Sequence, residues 1–124
     1  MIRNVLLVAF ALLLPAASDA QVKLLRHPSY SNGKVAFSYL GDIWTANENG
    51  SGAQRLTDNK ARDIYPRYSP NGNWVAFSSN RDGNYDVFVI PAAGGKPRQL
   101  TFHTADDNVV GWSPDGKKVL FSST

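Results

Sequence analysis

Tyr68-Ser69-Pro70-Asn71-Gly72-Asn73-Trp74-Val75-Ala76-Phe77-Ser78-Ser79 returns 44 residues later as Trp112-Ser113-Pro114-Asp115-Gly116-Lys117-Lys118-Val119-Leu120-Phe121-Ser122-Ser123. Leu56-Thr57 returns as Leu100-Thr101 with the same offset. A degenerate copy stands earlier, Tyr30-Ser31-Asn32-Gly33-Lys34-Val35-Ala36-Phe37-Ser38, its Gly33 lying 39 residues before Gly72. Three copies at a spacing near 40 residues mark one supersecondary unit repeated along the chain.

The middle copy shows what the unit is. Residues 66–69 read as a short first strand. Ser69-Pro70-Asn71-Gly72 reads as a tight turn, because proline pre-sets one φ and glycine supplies the positive φ that follows. Residues 74–79 read as a second strand, apolar almost throughout and expected to be buried on both faces. Asn80 to Asn84 form the next turn, residues 85–90 a third strand, and Gly94-Gly95 close a third turn. Residues 96–101 are polar and carry Pro97, as suits an exposed outer strand. The first unit repeats the order, with strands expected at 35–39, 43–46 and 54–57. Each unit is then a four-stranded antiparallel sheet of about 40 residues, the blade of a β-propeller.

The fold class expected is all-β, a partial propeller of about two and a half blades. Blade one covers about 28–65, blade two about 66–104, and a third blade starts over 105–124. Closed propellers take about 4–8 blades. The chain therefore reads as the N-terminal fragment of a longer protein, and residues 21–124 alone are expected to be marginally stable.

Composition agrees. All ten glycines and six of the seven prolines follow residue 20, as do thirteen of the fourteen aromatic residues. Turn-formers and aromatics in such numbers suit many short strands rather than a helical bundle. Residues 1–20 read as a secretory signal peptide: Arg3 opens it, residues 5–14 are an unbroken apolar run, and Ser18-Asp19-Ala20 precedes the expected cut before Gln21. Ten apolar residues make a helix of about 15 Å, too short for a hydrocarbon core of about 30 Å. The expectation is an exported, periplasmic protein without a membrane span after cleavage. The formal net charge is +3. The basic residues are scattered apart from Lys117-Lys118, so nucleic-acid binding has no support. The absence of cysteine excludes disulfides and thiolate metal sites.

Three stretches now carry a family resemblance: Tyr68 to Ser79, then Asn80-Arg81-Asp82-Gly83-Asn84-Tyr85-Asp86-Val87-Phe88-Val89-Ile90, then Gly94-Gly95-Lys96-Pro97-Arg98-Gln99-Leu100-Thr101. Together they resemble the TolB-type WD-like propeller repeat, over nearly all of residues 28–124. Three exported families share that repeat. TolB proteins place a small α/β domain before the propeller. Prolyl-oligopeptidase-type exopeptidases place an α/β-hydrolase domain after it. Tricorn-like proteases carry tandem propellers, then a PDZ domain and a serine peptidase domain of the carboxyl-terminal-processing type. The order here resembles tricorn homologues most. Its first blade starts close to the cleavage site and carries Gly41-Asp42-Ile43-Trp44, and residues 100–107 lead into the next blade. The first blade departs from the pattern by lacking the Ser-Pro step before Asn32-Gly33.

The resemblance implies a structural and substrate-guiding role, with the chemistry in domains beyond Thr124. The implied partners are peptide or protein substrates, the remaining blades and the peptidase domain, and oligomerisation is compatible with it.

No catalytic, cofactor-binding or metal-ligating residue is expected here. His103 with Asp106 and Asp107 has the elements of a metal site or an oriented base, but a blade connection with turn-forming aspartates explains the same residues. Asn80, Asp82, Asn84 and Asp86 alternate like calcium ligands, yet an EF-hand loop needs glycine sixth and glutamate twelfth, where Tyr85 and Pro91 stand. A hairpin on Asp82-Gly83 is simpler. Gly94-Gly95 precedes a strand rather than the helix that a phosphate cradle needs. Trp44, Trp74, Trp112, Phe37, Phe77 and Phe121 are expected in the inter-blade core.

Overall fold

The computed structural model describes residues 25–124 and is built of strands alone. The first sheet holds β1 (Leu25–Ser31), β2 (Lys34–Tyr39), β3 (Asp42–Asn47) and β4 (Gln54–Arg55). The second holds β5 (Asp63–Tyr68), β6 (Trp74–Ser79), β7 (Asp86–Pro91) and β8 (Arg98–Gln99). The third pairs β9 (Asp107–Trp112) with β10 (Val119–Ser123). Strands follow one another in sequence order within each sheet, and every pairing is antiparallel. This is a partial β-propeller. The signal peptide expected at residues 1–20 lies outside the described residues.

The turns follow their residues. The Gly72 N–H donates to the Ser69 carbonyl at 2.8 Å, and Gly72 takes a φ of +77°. Asn71 Oδ1 accepts from Ser69 Oγ and from the Asn73 N–H, which locks the turn. Ser113 to Lys118 repeat this arrangement with Asp115 in the asparagine's place. There the hydrogen bond from Ser113, then the one from the Lys117 amide, holds the Asp115 carboxyl below its ordinary range. The first blade solves the step differently. Asn32 and Gly33 both take positive φ between the paired residues Ser31 and Lys34, giving a two-residue hairpin that needs no Ser-Pro.

The first strand of the second blade and both outer strands differ in extent from expectation. The second blade's first strand starts at Asp63 rather than residue 66. Its ladder slips between Ile64 and Arg67, so Tyr65 and Pro66 together oppose Phe77. That bulge lets a proline, with no N–H to donate, sit inside a strand. β1 has the same bulge at His27-Pro28. The outer strands are also shorter than expected. Beyond Arg55 the Leu56 and Thr57 amides both turn onto the Ile43 carbonyl, and Thr57 Oγ1 accepts the Ile43 N–H. Leu100 and Thr101 make the equivalent contacts with Val87.

Side chains alternate between the faces of each sheet. Val75 and Phe77 of β6, with Phe88 and Ile90 of β7, pack around Ile43 from the first sheet. Ala76, Val87 and Val89 face the other way and meet Val109 of the third sheet, with Trp112 and Val119 beside them. The first strands approach one another across blades, β1 with β5 and β5 with β9, which marks the narrow, inner side of the wedge.

Candidate functional site

Serines tie each of the first two blades to the next, and Ser29 Oγ of the first accepts the Tyr68 N–H of the second at 3.1 Å. Ser78 Oγ–H donates to the Asp107 carbonyl at 3.0 Å and accepts the Val109 N–H at 2.9 Å. Ser38 Oγ–H donates to the Asp63 carbonyl at 3.3 Å. The serines of the Phe-Ser step thus join neighbouring blades, a role that composition alone did not reveal.

The histidine–aspartate candidate divides. His103 Nε2 stands 3.1 Å from Asp107 Oδ2, at ion-pair distance but without hydrogen-bond alignment. Asp106 does not join them, because its Oδ1 accepts the Tyr85 N–H. The repeat supplies a structural role for the pair. Asn59 and Asp63 lie 44 residues earlier, and Asn59 Nδ2 donates to the buried Asp63 carboxylate at 3.0 Å. Asp63 is also held by Arg81 at 3.4 Å, whose guanidinium lies 4.4 Å from the Phe88 ring centre.

Of the alternating Asn80, Asp82, Asn84 and Asp86, Asn84 and Asp86 meet, through a hydrogen bond from Asn84 Nδ2 to Asp86 Oδ1 at 3.3 Å, while the further contacts of the four lead apart. Asn80 Oδ1 accepts the Arg62 N–H. Asn84 Nδ2 donates to the His103 and Ala105 carbonyls. Asp86 is buried and accepts from Gln99 Nε2 and Thr101 Oγ1. Among the described residues no group of three His, Asp or Glu could hold a metal ion. Gly94-Gly95 make the turn between β7 and β8, where the Gly94 N–H donates to the Pro91 carbonyl.

The aromatic expectations need correction at two positions. Phe37 and Phe77 are buried, Trp44 packs edge-on to Tyr39, and Trp112 donates its indole N–H to the Arg67 carbonyl. Trp74 is not core: it is 39% exposed. It starts β6 and faces the third sheet beside Trp112, Lys117 and Val119. The blade-two turn Ala92-Ala93 flanks Lys34, which starts β2, whereas the described part of the third blade stops at its second strand. Phe121 is 41% exposed for the same reason. Its counterpart Phe77 stacks on Phe88 of the next strand at 5.7 Å, and β10 has only β9 beside it.

Two clefts open between the first and second blades. One, of about 490 Å³, is lined by Lys34, Thr45, Gln54 and Tyr68, and Lys34 Nζ donates to Asn47 Oδ1 at 2.6 Å. Burial pushes the Tyr68 phenol up to about 12. The other, of about 420 Å³, gathers Arg26, Lys60 and Arg62 around Leu40 and Gly41. Arg26 comes from β1 and lies more than thirty residues before Lys60 and Arg62 of the β4–β5 connection, so reading along the chain could not group all three.

Comparison with known proteins completes the description. The family model of the tricorn protease N-terminal beta propeller domain matches residues 22–124. Tricorn protease homolog 1 of Streptomyces coelicolor is 36% identical over 100 residues, covering 80% of this chain and 9% of that protein. The chain thus spans about a tenth or less of the tricorn homologues it matches. A TolB-like structure from Agrobacterium tumefaciens superposes with a TM-score of 0.71 at 25% identity, covering 81% of this chain and 38% of that one. The tricorn protease crystal structure superposes at 0.70 with 19% identity, over 80% of this chain and 11% of that one, a likeness of fold. The chain belongs to the tricorn protease N-terminal beta propeller domain family.

Proposed function

We propose that this chain is the N-terminal propeller segment of an exported, periplasmic tricorn-like serine protease, with a structural and substrate-guiding role. The observation that carries the reading is the match of the tricorn N-terminal propeller family over residues 22–124. Export is supported by the apolar run at 5–14 and the small-residue step before Gln21. Among the described residues no helix is long and apolar enough to cross a membrane. In this reading the propeller contributes walls and surfaces that meet peptides, and bond cleavage belongs to a domain beyond Thr124.

The test is the coding sequence past Thr124, together with the intact mass and first residue of the native protein. The reading predicts several hundred further residues or more, including a PDZ and a serine peptidase domain, and a mature chain starting at Gln21. A stop directly after Thr124 would contradict it.

A second reading is favoured by the TM-score of 0.71 with the TolB-like structure: a non-enzymatic envelope propeller that binds other proteins. It predicts a chain that ends once about six blades are complete, with no peptidase domain.

A further inference from the structure

We propose that the cavity between the first two blades, lined by Arg26, Lys60 and Arg62, binds the acidic side chains of peptides. The inference rests on the reading that this propeller meets peptides, and it names the kind of peptide preferred.

Three cationic side chains line one cavity of about 420 Å³, and among the described residues no carboxylate lines it with them. Such a volume lies within the range of about 300–1,000 Å³ typical of ligand pockets. Neither Lys60 nor Arg62 has an ion-pair partner among the described residues. Like charges gathered in a cleft with low-dielectric walls repel one another and focus a positive potential into it. An anion relieves that repulsion, and guanidinium groups suit a carboxylate because they offer paired parallel donors.

The β1 bulge beside the cavity feels the same positive charge. His27 follows Arg26 at the β1 bulge, with a φ of +54°, and packs against the Tyr65 ring at 4.4 Å. Its Nδ1 is buried without a hydrogen-bond partner. Burial first, then the charges of Arg67, Arg26 and Arg62, lower the His27 pKa from 6.5. The positive field of the arginines therefore reaches the bulge, and no carboxylate is among the groups that shift His27.

A peptide is favoured over a bare inorganic anion by what lies beside the charges. Leu40 is 70% exposed at the cavity, held on a positive-φ turn with a φ of +50°, and Ala61 lines the cavity as well. Carboxylate-matching cations next to an exposed leucine fit an acidic side chain with an apolar neighbour. Phosphate or sulfate would leave that leucine uncovered.

The test uses the native full-length protein and two peptides with blocked ends, so that no terminal carboxylate is present. One carries glutamate between leucines, the other glutamine at the same place. Calorimetry should show the glutamate peptide binding about tenfold or more tightly at low salt, the advantage shrinking as salt rises. Lys60→Gln with Arg62→Gln should abolish the preference, while Arg62→Lys should keep most of it. Both side chains are exposed, and a far-ultraviolet spectrum and melt matching the parent would confirm that the variants are folded. Equal binding of the two peptides would overturn the inference and leave the peptide-binding reading intact. A preference that survives the double substitution would place the acidic site elsewhere and overturn the inference too. Binding of inorganic phosphate without the glutamate peptide would reassign the cavity to small anions. Failure of every peptide would remove both the inference and the reading beneath it.

Discussion

Val75-Ala76-Phe77-Ser78-Ser79 and Val119-Leu120-Phe121-Ser122-Ser123 are nearly the same sequence in the same strand of successive blades. All five residues of the first are buried. In the second Val119 is half-buried and the other four are exposed. Local propensity cannot explain the difference, because the strands share it. What differs is company: β6 lies between β5 and β7 and between two other sheets, while β10 has β9 alone in its sheet. Surroundings therefore set burial: the two faces of β6 are covered by the first and third sheets, as in a repeat array, whereas the first sheet buries Val35, Phe37 and Ala46 with its own Leu25, Tyr39 and Trp44 beside them, and β10 has one open edge.

The largest expected effect comes from Phe77, the largest of the fully buried side chains among the described residues. Phe77→Ala should cost about 3–5 kcal/mol by chemical denaturation of the full-length protein, since Phe77 is fully buried against Ile43, Phe88 and Ile90. Phe121→Ala in the described chain should cost well under half as much. Equal costs would break the comparison. Next comes Arg81→Ala, which leaves the buried Asp63 carboxylate with Asn59 as its remaining side-chain partner. A loss of about 2–3 kcal/mol is expected, and less than about 1 kcal/mol would mean that Arg81 does not support Asp63. The serine links sharpen the contrast between junctions. Ser78→Ala removes two hydrogen bonds and should cost about 1–2 kcal/mol, whereas Ser38→Ala removes one longer bond and should cost less than about 1 kcal/mol. The same denaturation series checks both.

The smallest effect is one of pH. The His27 pKa is lowered by folding. A lowered value means that the unfolded chain binds the proton first. Stability from this group is therefore present above about 6.5 and is lost as pH falls below it, through the folded-state value. His27→Gln should flatten that part of a stability-against-pH curve, and an unchanged slope would assign the titration to another group.

The legible features were those that repeat locally. Ser-Pro-Asn-Gly announced its turn, and the apolar run after it announced a strand. The bulges were hidden by Pro28 and Pro66, which read as strand boundaries because proline cannot donate to a ladder. In the structure an extra residue absorbs each of them. Trp74 was misleading because a large aromatic residue at a strand start suggests core, while its burial depends on a turn from the next blade. The cationic cavity was illegible for a different reason. Arg26 and Arg62 are 36 residues apart, and the contacts of β1 and β2 with β5 bring their surroundings together. Asp42 and Asp86, by contrast, could have been paired through the 44-residue offset. Each is buried in its third strand and held from the outer strand, by Arg55 in one blade and Gln99 in the other.

The central claim, that the strands and blades around a strand rather than its own sequence set its stability, is tested most directly by amide hydrogen exchange on this chain. The account predicts that the amides of Val75, Phe77, Val87 and Val89 exchange at least about a hundredfold more slowly than those of Leu120 and Phe121. Equal protection along β6 and β10 would contradict it, because like sequences would then be equally stable in unlike surroundings.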